Sequence, residues 1–118
     1  MVPKKHGYSR RLRLREGDLA AIRGAGKRLR TEHLSAQAAS SLLPYCRVAV
    51  VIGKHGRSVV KRNKLRRRLR ELVRVHVIPA FAGVDVVLYA NPSAYDLEFD
   101  ELTGETIRIK TQLASVVQ

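Results

Sequence analysis

The sequence predicts a single small α+β domain: one β-sheet with helices packed against it. Three observations lead there. The chain has 118 residues, and one compact domain typically runs about 100–150. Segments of strand character are interleaved with segments of helical periodicity, the pattern of a sheet covered by helices. The hydrophobic fraction is 45%, but only 5% is aromatic and Trp is absent, so the predicted core is aliphatic.

Residues 1–12 read as a flexible basic arm, because Pro3, Gly7 and Ser9 interrupt any period. The remaining chain, 13–115, is the domain. Leu19, Ala20, Ile22 and Arg23 suggest a short helix from about Arg15 to Ala25. Glu16 and Asp18 suit the positive end of its dipole, and Gly24 or Gly26 can end it. Weak alternation from Leu29 to Ala38 reads as a strand. A turn follows through Ser40, Ser41 and Pro44. Arg47 to Ile52 is almost wholly aliphatic, the signature of a strand buried on both faces. Gly53 to Arg57 is a basic loop with two glycines. A helix follows, N-capped by Ser58 and ended by Pro79. Val84 to Tyr89 is another aliphatic strand, closed by Asn91-Pro92. Phe99, Leu102, Ile109 and Leu113 fit a final helix, although Gly104 and the β-branched residues around it weaken the pattern. The order is helix, strand, strand, basic helix, strand, helix, with room for a further strand in the first half.

Twenty-three Lys and Arg against ten Asp and Glu give a net charge of +13. Self-repulsion on that scale points to a polyanionic partner. The charge is unevenly placed. Ten basic residues against two acidic give +8 over 1–30, eleven against one give +10 over 47–76, and two against six give −4 over 77–118. That asymmetry favours a defined cationic face over a uniformly basic surface. Apolar runs such as Val48–Ile52 fall far short of the roughly 20 residues a membrane helix needs. The basic residues before Arg15 precede no apolar block, so the chain reads as cytoplasmic, with no secretory signal. A lone Cys46 excludes an internal disulfide and a multi-cysteine zinc site.

The basic helix carries the functional signal. At about 100° per residue, Leu65, Leu69, Leu72, Val73 and His76 share one arc, while Asn63, Arg67, Arg70 and Arg74 share the opposite side with Arg66 beside them. Arg62 to Arg70 holds five arginines and Lys64, with only Glu71 next to them for relief. Exposed helices usually alternate signs to gain i,i+4 pairs. Arginine's planar donor fork suits phosphate oxygens. Gly53 and Gly56 permit close backbone approach, Lys54 and Arg57 add charge, and the amides at the helix start can receive an anion.

The run Arg62-Asn63-x-x-Arg66-Arg67-x-x-Arg70-Glu71, preceded by Gly56 and the strand Arg47–Ile52, resembles the protein subunit of bacterial ribonuclease P. Looser matches are the N-terminal Arg11-Leu12-Arg13, the exit Tyr89-Ala90-Asn91-Pro92 and the C-terminal helix, so the similarity spans about 10–115. The resemblance implies an αβ sandwich like the second domain of ribosomal protein S-five, with the basic helix in a left-handed βαβ crossover, a rare hand. It also implies a role as accessory protein of a ribonucleoprotein endoribonuclease that removes the 5′ leader of precursor tRNA. The catalytic centre would lie in the RNA, with magnesium held mainly by RNA. Lys54, Arg57, Lys61, Arg62, Asn63, Lys64, Arg66, Arg67, Arg70 and Arg74 would contact the catalytic RNA. A cleft between the first helix and the sheet would hold the leader through Arg11, Arg13, Leu19, Ile22 and Arg47. The family commonly places Phe where this chain has Leu19 and near Ile22, and often an aromatic where it reads Glu32-His33-Leu34. Leader binding here therefore leans on arginines more than on stacking.

Protein-based hydrolysis would need an acid/base pair, a nucleophile or metal-holding carboxylates. His6, His33, His55 and His76 show no ligand spacing. Cys46 reads as a small buried hydrophobe, and Asp96, Glu98, Asp100 and Glu101 as the charged start of the last helix. No protein oligomer is expected. Two other readings stay open on composition: a ribosomal or assembly protein that binds RNA structurally, and a DNA-binding helix, the latter disfavoured because strands rather than a second helix flank the basic one.

Overall fold

The computed structural model describes residues 12–14, 16–25, 27–53 and 56–116. Seven regular elements run in the order α1 (Glu16–Ala25), β1 (Lys27–Arg30), β2 (Leu34–Ser40), β3 (Arg47–Ile52), α2 (Val59–Leu72), β4 (Val84–Ala90) and α3 (Phe99–Val116). The strands form one mixed sheet of order β1-β2-β4-β3. β1 and β4 both run antiparallel to β2, and β3 runs parallel to β4. Parallel neighbours cannot be joined by a tight turn, and here α2 makes the crossover.

The alternation of side chains along each strand separates two faces. Leu29, Ala36, Ala38, Val48, Val86 and Leu88 point to the main core, where they meet Leu65, Leu69, Leu72 and Val73 from α2 and its extension, and Leu102, Ile109 and Leu113 from α3. α2 lies over β3, and α3 over β1 and β2. A smaller cluster on the opposite face joins Leu14 and Ile22 to Val87, with Leu19, Ala39, Ala49, Val51 and Tyr89 around it. α1 thus seats on only part of that face.

Two expectations are corrected. The strand read over Leu29–Ala38 is a hairpin, β1 and β2, with a turn at Thr31–His33. No Gly, Pro, Asn or Asp marks that turn, which closes on the Thr31 N–H to the Leu34 carbonyl at 2.8 Å and is also held from outside. The buried Glu105 carboxylate of α3 accepts the Thr31 hydroxyl at 2.5 Å and the His33 backbone N–H at 2.9 Å, and it also bonds His33 Nδ1. The second correction concerns burial. β3 is an edge strand in which only Val48 is fully buried, whereas β4, between β2 and β3, is buried at every position but Tyr89. An aliphatic run cannot distinguish the two positions, because either packs well on a pleated surface. Among the described residues, the outer edge of β3 is met by a parallel bridge from Arg13 to Val48.

The helix ends follow local chemistry. The Ser58 hydroxyl accepts the Lys61 N–H at 3.2 Å, the expected N-cap. Pro79 lacks an N–H and crowds the preceding carbonyls. The helix accordingly widens to a π turn at Val73–Val77 and ends as a 3₁₀ turn at Ile78–Ala80, with Val73 and Val77 still in the core. α3 persists through Gly104 because Leu102, Ile109 and Leu113 are essentially inaccessible. Its threonines also bond back along the helix, Thr106 to the Leu102 carbonyl at 2.9 Å. Asp100 and Glu101 occupy its first turn, and Glu101 accepts the Glu98 N–H at 2.9 Å. Gly83, at φ +69°, supplies the left-handed residue before β4; a Cβ there would stand 3.4 Å from the Ser41 carbonyl.

Candidate nucleic-acid interface

α2 carries seven cations and one carboxylate in fourteen residues, with no acidic residue in its first turn. Leu65, Leu69 and Leu72 are buried, and beyond the exposed Val59 and Val60 at its start most of the remaining circumference carries charge. Helical spacing puts Arg62, Arg66 and Arg70 along one flank. Lys61, Lys64 and Arg68 lie along the other, with Asn63 and Arg67 on the crest between them. Lys61, Arg62, Lys64, Arg66, Arg67 and Arg68 meet no carboxylate at ion-pair distance among the described residues. Cations at a helix N-terminus work against its dipole. This arrangement is favourable only when an anion is brought to it.

Partners are local and few. Asn63 Oδ1 accepts Arg66 Nη1 at 2.9 Å, so the amide carbonyl orients an arginine and leaves the NH₂ group outward. Arg57 enters from the loop, where Gly56 adopts φ +73°. Its guanidinium lies 5.1 Å from the Tyr95 ring centroid and 3.9 Å from the Asp96 carboxylate. Arg74 differs from expectation. It sits on the π turn, where Glu71 grips it through Nε at 3.0 Å and Nη2 at 2.6 Å. That bond holds the Glu71 carboxyl below its ordinary pKa and raises that of Arg74. The i,i+3 spacing makes this pair on the helix itself, so Arg74 brings little unmatched charge. Lys54 lies outside the described residues.

The opposite face of the sheet holds the described residues expected at the leader cleft, Arg13, Leu19, Ile22 and Arg47. Arg47 forms a fork with Asp85, Nε to Oδ1 at 3.0 Å and Nη2 to Oδ2 at 2.7 Å, and reaches Asp18 at 3.5 Å. The hydrogen bond to Asp85 raises its pKa. Its charge is therefore matched inside the fold by a neighbour across the parallel register. Ile22 is only 3% exposed and anchors α1 to Val87 rather than facing a cleft, while Leu19 is half-buried beside it. Arg13 lies exposed at the β3 edge, and Arg11 is outside the described residues.

Residues not singled out from the sequence complete this face. The sheet register lines up Arg28 with Gln37 and Val87, and Arg30 with Ser35 and Tyr89. Gln37 is buried, donates to the Arg23 carbonyl and accepts the Tyr89 hydroxyl, both at 3.4 Å. Arg23 Nε reaches the same hydroxyl at 3.4 Å. Alternation in Lys27-Arg28-Leu29-Arg30 is the sequence signal for Arg28 and Arg30. Gln37, Tyr89 and Arg23 meet only through the register. Arg68 on α2 was also hidden, overshadowed by its more regularly spaced neighbours.

A sheet with a cation-bearing helix on one side and arginines around Gln37 and Tyr89 on the other defines a small α+β protein with two cationic faces, suited to a polyanion. Known proteins narrow this class. The sequence matches the ribonuclease P family over residues 8–114. It is 34% identical over 94 residues to the ribonuclease P protein component of Syntrophobacter fumaroxidans, covering 78% of each chain. The fold is that of the ribonuclease P protein from Thermotoga maritima, with a TM-score of 0.76 at 23% identity over 85% of this chain and 96% of that one. It also matches the Staphylococcus aureus protein, with a TM-score of 0.77 at 19% identity over 91% and 98%. The chain belongs to the family of bacterial ribonuclease P protein components. Among the described residues no helix is long and apolar enough to cross a membrane.

Proposed function

We propose that the chain acts in the cytoplasm as the protein subunit that pairs with a catalytic RNA and helps it remove the 5′ leader from precursor tRNA. The observation that carries the RNA contact is the unmatched row on α2: Arg62, Arg66 and Arg67 with Lys61, Lys64 and Arg68. Phosphates replace there the counterions that the chain does not supply. Asn63 adds a donor that can reach a base or a ribose, and Arg57 and Arg70 extend the surface at its two ends. On the far face, Arg28 and Arg30 with Arg13 flank a furrow floored by Gln37 and Tyr89, where a single strand can lie with its phosphates on the arginines. Arg47 supports that furrow by holding Asp85 and Asp18.

Magnesium, in this reading, is held mainly by RNA and supplies the activated water and Lewis acid of the hydrolysis. The more buried carboxylates of the fold suit that division. Asp85 and Asp18 are engaged by Arg47, Glu71 by Arg74, and Glu105 by Thr31 and His33. The protein's part is to neutralise phosphate repulsion and to position RNA. The test is cleavage of precursor tRNA at low magnesium by the RNA subunit alone and with the protein added. The protein should raise the rate; no stimulation would refute the role. Co-purification of ribosomal RNA in place of one RNA of a few hundred nucleotides would support a structural ribosomal role instead.

A further inference from the structure

α2 is flanked on its Lys61–Arg68 side by a cavity of about 160 Å³, closed by the 3₁₀ turn Pro92–Asp96 and Leu97. Leu65 and Ala94, both buried, form its apolar floor. Tyr95 forms one wall. Its hydroxyl donates to the Gly53 carbonyl at 3.0 Å, so the ring is fixed to the loop that begins the crossover, and the Arg57 guanidinium lies over it at 5.1 Å from the centroid. Lys61, Lys64 and Arg68 stand at the mouth, and Asp96 at the rim is 80% exposed.

These features differ from the rest of the cationic surface. A row of arginines needs only a phosphate backbone, whereas a hollow with an apolar floor and an aromatic wall has room for a ring. A cavity of about 150 Å³ admits one benzene-sized ring, so this one holds a single six-membered ring and not a helix. Aromatic and guanidinium planes are the surfaces on which proteins stack unpaired RNA bases. The cations at the mouth suit the phosphate attached to such a base. The Asp96 carboxylate can accept from the exocyclic amine of cytosine.

We propose that this cavity takes one unpaired pyrimidine nucleotide, splayed out of the catalytic RNA, with its base against Tyr95 and Arg57 and its phosphate on Lys64 and Arg68. The inference rests on the RNA-binding role proposed above and assigns one specific contact within it. The site would make α2 read a particular unpaired position of the RNA, beyond a general affinity for phosphate.

The first probe is cytidine 5′-monophosphate, titrated into the ¹⁵N-labelled full chain beside ribose 5-phosphate and inorganic phosphate. The amides of Ala94, Tyr95 and Leu97 should shift saturably, with cytidine monophosphate binding about tenfold more tightly than ribose 5-phosphate. Tyr95→Leu should erase that difference. Tyr95→Phe, which keeps the ring and loses only the bond to Gly53, should preserve it. The Lys64→Ala, Arg68→Ala double variant should weaken both sugar phosphates. Equal binding of the two, or no saturable shift at these amides, would overturn the inference. In parallel, affinity for the catalytic RNA should fall about tenfold in Tyr95→Leu and hold in Tyr95→Phe. If wild type and Tyr95→Leu bind the RNA equally well, the nucleotide pocket is refuted while the role of α2 stands; if wild type does not bind the RNA, the role itself fails.

Discussion

Replacing Glu105 with alanine should loosen the β1–β2 hairpin and cost about 3 kcal/mol. The carboxylate is 3% exposed, and one of its oxygens accepts both the Thr31 hydroxyl at 2.5 Å and the His33 N–H at 2.9 Å. Each hydrogen bond to a charged group contributes roughly 1.5–3 kcal/mol. The lower figure applies here because the turn is only partly buried and water can reach the freed donors. The His33 imidazole lies near the surface and is left out of that sum. Thr31→Val, which removes one bond, should cost about half as much. For a domain of this size the alanine variant should melt roughly 10–15 °C lower.

The same cluster predicts a pH profile. The bond to Glu105 raises the His33 pKa above its ordinary 6.5. Its contribution is therefore complete below pH 6.5 and fades as pH rises through the folded-state value. For Glu105, burial alone would raise the pKa, but the bonds from Thr31 and His33 outweigh it and hold the carboxyl below 4.5. Its contribution is complete above pH 4.5 and fades as pH falls through the folded-state value. The cluster is strongest between about pH 4.5 and 6.5, and Glu105→Gln should flatten both limbs. Urea unfolding followed by far-UV circular dichroism across pH 4–8 provides the measurement. A Glu105→Ala variant within about 0.5 kcal/mol of wild type, or a Glu105→Gln profile unchanged in shape, would show that the turn does not depend on α3.

Three further outcomes follow from the packing. Asp85→Ala strips the fork from Arg47, whose side chain is 20% exposed, and should cost about 3 kcal/mol in thermal unfolding; a neutral result would mean that water replaces the pair. Leu69→Ala opens a cavity at a fully buried site between α2 and the sheet, with an expected loss of about 2–5 kcal/mol in denaturant titration. The Cys46 thiol is pushed up to about 12 by burial, with help from the Asp85 charge, so it should resist Ellman's reagent at pH 8 until the chain is unfolded in urea; rapid labelling of the native protein would contradict its burial.

The most legible element in the sequence was α2, because two patterns coincide there: leucines at core spacing and cations at seven of the other positions. β4 and the capped start of α2 were legible for the same local reason. What escaped depends on distant residues. The Thr31–His33 turn has no Gly, Pro, Asn or Asp to mark it; it closes on the Thr31 N–H to the Leu34 carbonyl and is tied down by Glu105, more than seventy positions away. The ion pair of Arg47 with Asp85 was not legible, because the two become neighbours only when β3 pairs with β4. Edge and centre of the sheet could not be told apart, since β3 and β4 are equally aliphatic. The furrow of Gln37, Tyr89, Arg28 and Arg30 is assembled from three strands, and no single window of sequence contains it.

The most direct measurement is the salt dependence of binding to the catalytic RNA, because it counts displaced counterions. Arg62→Ala and Arg67→Ala, whose guanidiniums meet no carboxylate, should each lower the log–log slope by roughly 0.7–0.9. Arg74→Ala, already matched by Glu71, should change it clearly less. Slopes that stay unchanged when Arg62 and Arg67 are both replaced would contradict α2 as the RNA-facing element, and an equal response to Arg74 would contradict its matching by Glu71.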